Sequence, residues 1–305
     1  MASVRHHTRH AAALCLLLSL SGAAQAAPIT FNTALPVAEG EFVWREQLVR
    51  RRRSDGGPLD REVSVDALGS VLGYGANSRL AVFAALPYFF DRELRVTTPA
   101  GRLQRDTGGI GDLALFARYT LYKRDSKGAT FRIAPLLGLE APTGDDRDRD
   151  AVGRLPRPLQ AGSGGWDVFG GVVVTWQTLQ YQIDSQLLFR ENGRHDGFDP
   201  GDQWRFDASL QYRAWPRELT GDTPAFLYLV LESNLSHTGR DIDDERGIGL
   251  DPNSGGTQWL LAPGLQYVTQ RWILEGAVQL PAASNPHGNA LEDDYLVRAG
   301  FRYNF

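Results

Sequence analysis

His237 is followed closely by Asp241, Asp243 and Asp244, a grouping of imidazole and carboxylates that could bind a cation or support Asp/His hydrolysis. No second pair of this kind accompanies it, and a loop histidine such as His195 or His287 is ordinarily just solvated, so a rim-located hydrolase ranks last among the readings. Gly109-Ile110-Gly111-Asp112 has the glycine spacing of a nucleotide loop, yet it opens a strand rather than a helix and lacks the Lys-Ser/Thr of a phosphate cradle. No catalytic residue, metal site or cofactor is expected from these groups.

A larger constellation comes from side-chain alternation. Arg118, Arg132, Glu140, Asp184, Arg190, Arg205, Asp207, Arg213, Glu232, Glu275, Arg298 and Arg302 each project to the polar side of a segment whose other side is apolar. Charges of both signs facing one enclosed space could either pair with one another or line a wetted path for small solutes.

The elements that would position them are β-strands. From 179 to 190, Leu179, Tyr181, Ile183, Leu187 and Phe189 alternate with Gln180, Gln182, Asp184, Gln186 and Arg190, the period-2 pattern of a strand with unlike faces. The same rhythm runs through 203 to 214, 271 to 280 and 295 to 305. Less regular strands fit about 41 to 50, 62 to 73, 79 to 90, 110 to 122, 129 to 141, 166 to 177, 225 to 236 and 258 to 268. That makes about twelve, with ten or fourteen also compatible. In the first strand Arg45 and Glu46 leave neither face purely apolar.

Connections alternate in length. Long, charged ones fall near 51 to 61, 91 to 109, 142 to 165, 191 to 202, 237 to 257 and 281 to 294, separated by shorter turns. This is the layout of an all-β, closed, up-and-down antiparallel transmembrane β-barrel. Six of the seven tryptophans, Trp166, Trp176, Trp204, Trp215, Trp259 and Trp272, sit at or beside proposed strand ends, as an aromatic girdle requires. Trp166 and Trp176 share one face and lie about 25 Å apart along a tilted strand, the height of an apolar band.

Export is expected as well. Arg5 and Arg9 precede an apolar stretch ending in Ala24-Gln25-Ala26, which reads as a signal peptide over 1 to 26. Cys15 would leave with it, so neither a disulfide nor a thiolate is available afterwards. Loss of the two arginines takes the formal charge from −4 to −6, which excludes the polycation that nucleic acid would require. Residues 27 to 39, with Pro28 and Pro36 and little charge, are expected as an N-terminal segment suited to plugging the mouth, followed by a barrel over 40 to 305.

Gly109-Ile110-Gly111-Asp112 at a strand opening and Pro142-Thr143-Gly144-Asp145 at a strand exit resemble the recurrent motifs of the family called "MetA-pathway of phenol degradation", and the strand layout extends the likeness over most of 40 to 305. Tyr303 and Phe305 resemble the C-terminal signal read by outer-membrane barrel-assembly machinery. The resemblance implies an outer-membrane transporter of a Gram-negative cell, in contact with lipid and lipopolysaccharide, passing small organic, aromatic or hydrophobic solutes. A non-conducting barrel that acts structurally or through surface contacts is the alternative.

Overall fold

Strands with one apolar and one polar face can satisfy every backbone group if the sheet curls until its edges meet. The computed structural model, which describes residues 25–219 and 223–305, takes this form. Among the described residues, twelve antiparallel strands make one closed ring: β1 (Phe42–Ser54), β2 (Glu62–Gly75), β3 (Leu80–Thr98), β4 (two pieces, Gly101–Ile110 and Leu113–Tyr119), β5 (Ala129–Ala141), β6 (Asp167–Thr178), β7 (Tyr181–Glu191), β8 (Gln203–Trp215), β9 (Ala225–Thr238), β10 (Gly256–Thr269), β11 (Trp272–Pro286) and β12 (Glu292–Asn304). Each strand pairs with the next, and β12 closes on β1 with Val43 opposite Asn304 and Leu48 opposite Ala299. The seam is pinned at its end by the Phe305 amide donating to the Phe42 carbonyl at 3.0 Å. No described helix is long and apolar enough to cross a membrane. The expected signal peptide falls almost wholly on residues 1–24, outside the described residues.

The two faces are sorted in the reverse of a water-soluble protein. On β7, Ile183 and Leu187 are 41% and 44% exposed, whereas Gln182, Asp184 and Gln186 are all buried. The neighbouring β8 repeats this with Phe206 and Leu210 outward and Asp207, Ser209 and Gln211 inward. An apolar outer wall around a polar interior is stable only where hydrocarbon covers the outside.

One expected loop is in fact strand. The stretch 91 to 109 forms a hairpin in which β3 runs on to Thr98 and β4 returns from Gly101, pairing residue by residue back to Arg92 opposite Thr107. Its first arm pairs with β2 as far as Arg95 opposite Glu62, and the rest projects past the ring where no apolar face is needed, so its charges concealed the strand. They pair with one another or with loops: Arg95 with Glu93, and Arg105 through two hydrogen bonds with Asp150, whose carboxyl that bond holds down at about 2. The gap expected over 281 to 294 also shortens, because β11 continues to Pro286. At the opposite end, Tyr122–Ser126 folds back on β5, so the turn expected at 123 to 128 is a small hairpin.

The glycine-rich motifs explain how the longest loop is fastened. Asp112, buried between the two pieces of β4, accepts hydrogen bonds from the Gly144 amide (2.8 Å) and the Ser163 amide (2.6 Å), gripping both ends of the loop between β5 and β6. Thr143 accepts from the Leu113 amide at 2.9 Å. A Cβ on Gly144 would lie 2.8 Å from the Ile110 carbonyl oxygen, so the crossing backbones require glycine there. The device recurs around the rim: Asp167 takes the Gly193 amide, Asp202 the Asn192 amide and Asp241 the Gly201 amide. "G-x-G-D" and "P-T-G-D" are thus two halves of one loop clamp.

Candidate functional site

Strand parity aims two different walls into the lumen. Along β2 to β6 the inward positions are mostly apolar, including Val63, Ala67, Phe83, Phe116, Leu136, Phe169 and Val173. Phe83 and Phe116 stack with ring centroids 4.7 Å apart, and Phe169 continues the row at 6.0 Å from Phe116. Gly73 and Gly138 make room for them, since a Cβ at Gly73 would meet the Phe83 ring at 2.5 Å and one at Gly138 the Phe169 ring at 2.4 Å. From β7 round to β1 the inward positions are mostly polar, including Gln182, Asp184, Gln186, Asp207, Gln211, Glu232, Asn234, Gln266, Glu275 and Gln279, then Arg298, Arg302, Arg45 and Gln47, with Val230, Ala262 and Ala277 among the apolar exceptions.

Residues 26 to 38 occupy the space between these walls at the short-turn end. The segment is extended and has no sheet of its own to pair with, so the wall satisfies its backbone. The Glu232 carboxylate accepts from the Ile29 amide at 2.7 Å, the Thr30 amide at 3.0 Å and the Thr30 hydroxyl at 2.5 Å. Arg45 and Gln47 donate to the Ile29 carbonyl at 2.7 and 2.9 Å, and Gln266 donates to that of Ala27 at 2.6 Å. Further along, Thr33 donates to Asp184, the Ala34 amide donates to Thr175, and Arg118 donates to the Leu35 carbonyl at 2.6 Å. Ile29 packs on Val230 and Ala277, while Ala34 joins Ala134, Leu136 and Phe169. The chain leaves past Gly75, where a Cβ would lie 2.1 Å from the Ala38 carbonyl oxygen. Beside the segment a cavity of 270 Å³ remains, walled by Val71, Phe83, Phe116, Arg118 and Arg302 among others.

The twelve charged residues singled out in the sequence all lie on inward positions of their strands, in five settings. Glu275 gathers Arg45 (2.5 Å), Arg302 (3.6 Å), Gln47 and Gln266 around one buried carboxylate. Arg190 bridges Glu140 (3.0 Å) and Asp167 (3.6 Å), and its guanidinium lies over Phe169. Arg205 pairs with Asp207 at 3.0 Å. Arg118, Asp184 and Glu232 hold the inserted segment, whereas Arg132, Arg213 and Arg298 make local bonds to Asp125, to Gln180 and to Gln279. Sequence reasoning missed Arg45, Gln47 and Gln266, since an uncharged or irregularly patterned position gives no sign of which side it faces. It also missed the phenylalanine wall, where apolar residues on both faces erase the alternation.

Outside, Trp166, Trp176, Trp204, Trp215 and Trp259 are 39–62% exposed, and Trp272 is half-buried against Tyr267. Phe305 is exposed and stacks on Phe42 across the closing seam. The ambiguity of β1 resolves by side: Arg45 points in to Glu275, while Glu46 points out and accepts from the Trp44 indole at 2.5 Å and the Ser70 hydroxyl at 2.7 Å.

The rim carboxylates do not assemble with His237. Its Nδ1 lies 2.8 Å from the Thr257 hydroxyl, while Asp241 caps Gly201, Asp243 binds Arg246 and Asp244 binds Arg194. Asp146, His195 and Asp196 do converge with ligand-like spacing, but Arg147, Arg154 and Arg157 stand within 4 Å of the same carboxylates. Three guanidinium charges already neutralise that cluster, which ties three loops together through Glu245 as well.

A closed barrel with a polar interior and Asp–Gly loop clamps can be set beside known proteins. The sequence pattern of the family described as "Putative MetA-pathway of phenol degradation" matches residues 56–285. The chain belongs to this family. Within the MetA-pathway of phenol degradation family the matched span takes in the Asp112 clamp and most of the inner wall. Among solved structures, the COG4313 outer membrane channel from Pseudomonas putida F1 shares the fold, with a TM-score of 0.66 at 16% identity over 92% of this chain and 100% of that one. The beta domain of the Bordetella autotransporter BrkA gives a TM-score of 0.44 at 14% identity, covering 88% of this chain and 100% of that chain. No curated protein sequence matches the chain.

Proposed function

We propose that the barrel is a passive outer-membrane channel for small organic solutes, exported by a cleaved leader and gated from the short-turn, periplasmic side by residues 26 to 38. The observation that carries this reading is the two-sided lumen: an apolar phenylalanine wall faces a hydrogen-bonding wall, and the segment between them is held by side chains instead of being built into the sheet. A strand woven into the ring could not leave without opening the barrel, whereas a side-chain-held segment can. Twelve strands lie between the barrels that pack solid at about eight and those that leave an aqueous channel at about sixteen to eighteen, so only small solutes fit. An apolar wall lets a hydrophobic or aromatic body pass, and the polar wall keeps its hydrogen-bonding groups satisfied. Lipid covers the outer wall, lipopolysaccharide meets the charged loops, and Tyr303 with Phe305 at the closing seam is where assembly machinery would bind. No reaction is assigned to the site.

The segment's saturation with hydrogen bonds favours a second reading, a barrel that stays shut and acts structurally or through its loops. Liposome swelling separates the two. The mature chain should admit solutes of monosaccharide size or smaller faster than protein-free liposomes do, and admit them faster still without the segment. Absence of flux from both forms removes the channel.

A further inference from the structure

We propose that Arg298 is a binding subsite for the carboxylate of a small organic anion, placed at the tip of the inserted segment. The inference rests on the lumen being a solute path and adds which charge class the path selects.

Among the described residues Arg298 differs from the other lumen arginines in having neither a counter-ion nor an Nη partner, since Arg118 and Arg213, which also lack a carboxylate, donate from Nη to the Leu35 carbonyl and to Gln180. Arg45 and Arg302 share Glu275, Arg205 has Asp207, Arg190 has Glu140, and Arg51 takes Asp293 through two hydrogen bonds. Among the described residues Arg298 makes one side-chain hydrogen bond, from Nε to Gln279 Oε1 at 2.9 Å, and no carboxylate lies within 4 Å of it. A guanidinium has five N–H donors in a planar fork shaped for a carboxylate, so the Nη edge is left to meet a ligand. Glu232, the carboxylate on the facing wall, already spends both oxygens on Ile29 and Thr30. An unpaired guanidinium inside a low-dielectric wall is where an arriving anion gains most.

The flanks define the rest of the solute. Arg298 stands between Val49 on β1 and Ala277 on β11, and Val49 faces Ala67 on β2. A carboxylate on Arg298 would therefore lay an apolar body along Val49 and Ala67, toward the phenylalanine wall. Below, Gln279 donates to Asn234 at 2.9 Å and Asn234 donates to the Thr30 hydroxyl at 2.9 Å. The subsite thus touches the tip of the segment through two side chains, on the side from which a solute entering past the loops arrives.

The test compares hexanoate with its neutral amide, hexanamide, by calorimetric titration against the folded mature protein in detergent at low salt. Hexanoate should bind at least about tenfold more tightly, roughly 1.4 kcal/mol, and Arg298→Gln should bring the two to parity. Arg213→Gln, near the short-turn end, should leave the preference intact. Equal binding by the unaltered protein, or a preference that survives Arg298→Gln, overturns the proposal. In the unaltered chain hexanoate should also shift the Arg298 Nε–Hε resonance, and an unmoved signal overturns the proposal even if the variant fails to fold. Liposome swelling with neutral solutes is independent of this outcome, so an intact flux with no anion preference removes the subsite and keeps the channel.

Discussion

Deleting Ala27 to Ala38 from the mature chain turns a largely closed barrel into a steadily conducting one in planar bilayers. The segment contributes no strand to the ring, so its removal leaves all twelve strand pairings in place. What it does contribute is a set of bonds across the lumen, from Glu232, Arg45, Gln47, Gln266, Thr175 and Arg118. A point change gives a graded version. Glu232→Leu takes the acceptor away from the Ile29 and Thr30 amides and the Thr30 hydroxyl of the inserted segment, which costs about 3 kcal/mol at about 1 kcal/mol per bond. With 1.4 kcal/mol per decade, the open population rises on the order of a hundredfold. Single-channel open probability reads this directly. Conductance unchanged by both alterations means the segment is no gate.

Replacing Glu275 by Ala is expected to be the most destabilising single change in the barrel. Its carboxylate is fully buried, takes both Arg45 and Arg302, and also accepts from Gln47 and Gln266. Removing one partner of a buried charge cluster leaves the others uncompensated, at a cost of about 3–5 kcal/mol. Equilibrium unfolding in urea from lipid vesicles should show a midpoint lowered accordingly. Glu46→Gln is the control, a carboxylate next to Arg45 on β1 that points outward to Trp44 and Ser70. It removes a charge from the lipid side and should change stability by about 1 kcal/mol or less. Equal effects of the two would mean that inside and outside have been assigned wrongly.

Much of this architecture was legible in the residues, and for a physical reason. Wherever one face meets lipid and the other meets polar groups, as on β7 and β8, the period-2 pattern is forced, and Ile183 against Asp184 or Phe206 against Asp207 reveals both strand and side. Where that contrast lapses, the pattern does too. The β3–β4 hairpin carries charge on both faces because it extends past the apolar band, and it read as a loop. Along β2 to β6 the lumen face is itself apolar, so Phe83, Phe116 and Phe169 gave no sign of pointing inward. The inserted segment is recognised through its backbone, which has no side-chain signature; only Pro28, Pro36 and the lack of charge hinted at it. The Asp112 clamp was visible as a motif but not as a contact, because its partners Gly144 and Ser163 lie far along the chain.

The outer wall's contact with hydrocarbon underlies every one of these expectations, and quenching of tryptophan fluorescence by lipids brominated at graded depths measures it. Single-tryptophan forms retaining Trp166, Trp204 or Trp259 at the long-loop end, or Trp176, Trp215 or Trp272 at the short-turn end, should be quenched most by bromines near the headgroups. A tryptophan placed at Leu187 or Leu210, mid-strand and outward, should be quenched most by bromines deep in the acyl chains. Depth-independent, weak quenching at all these positions, with a chain that stays dissolved without detergent, would contradict a lipid-facing barrel.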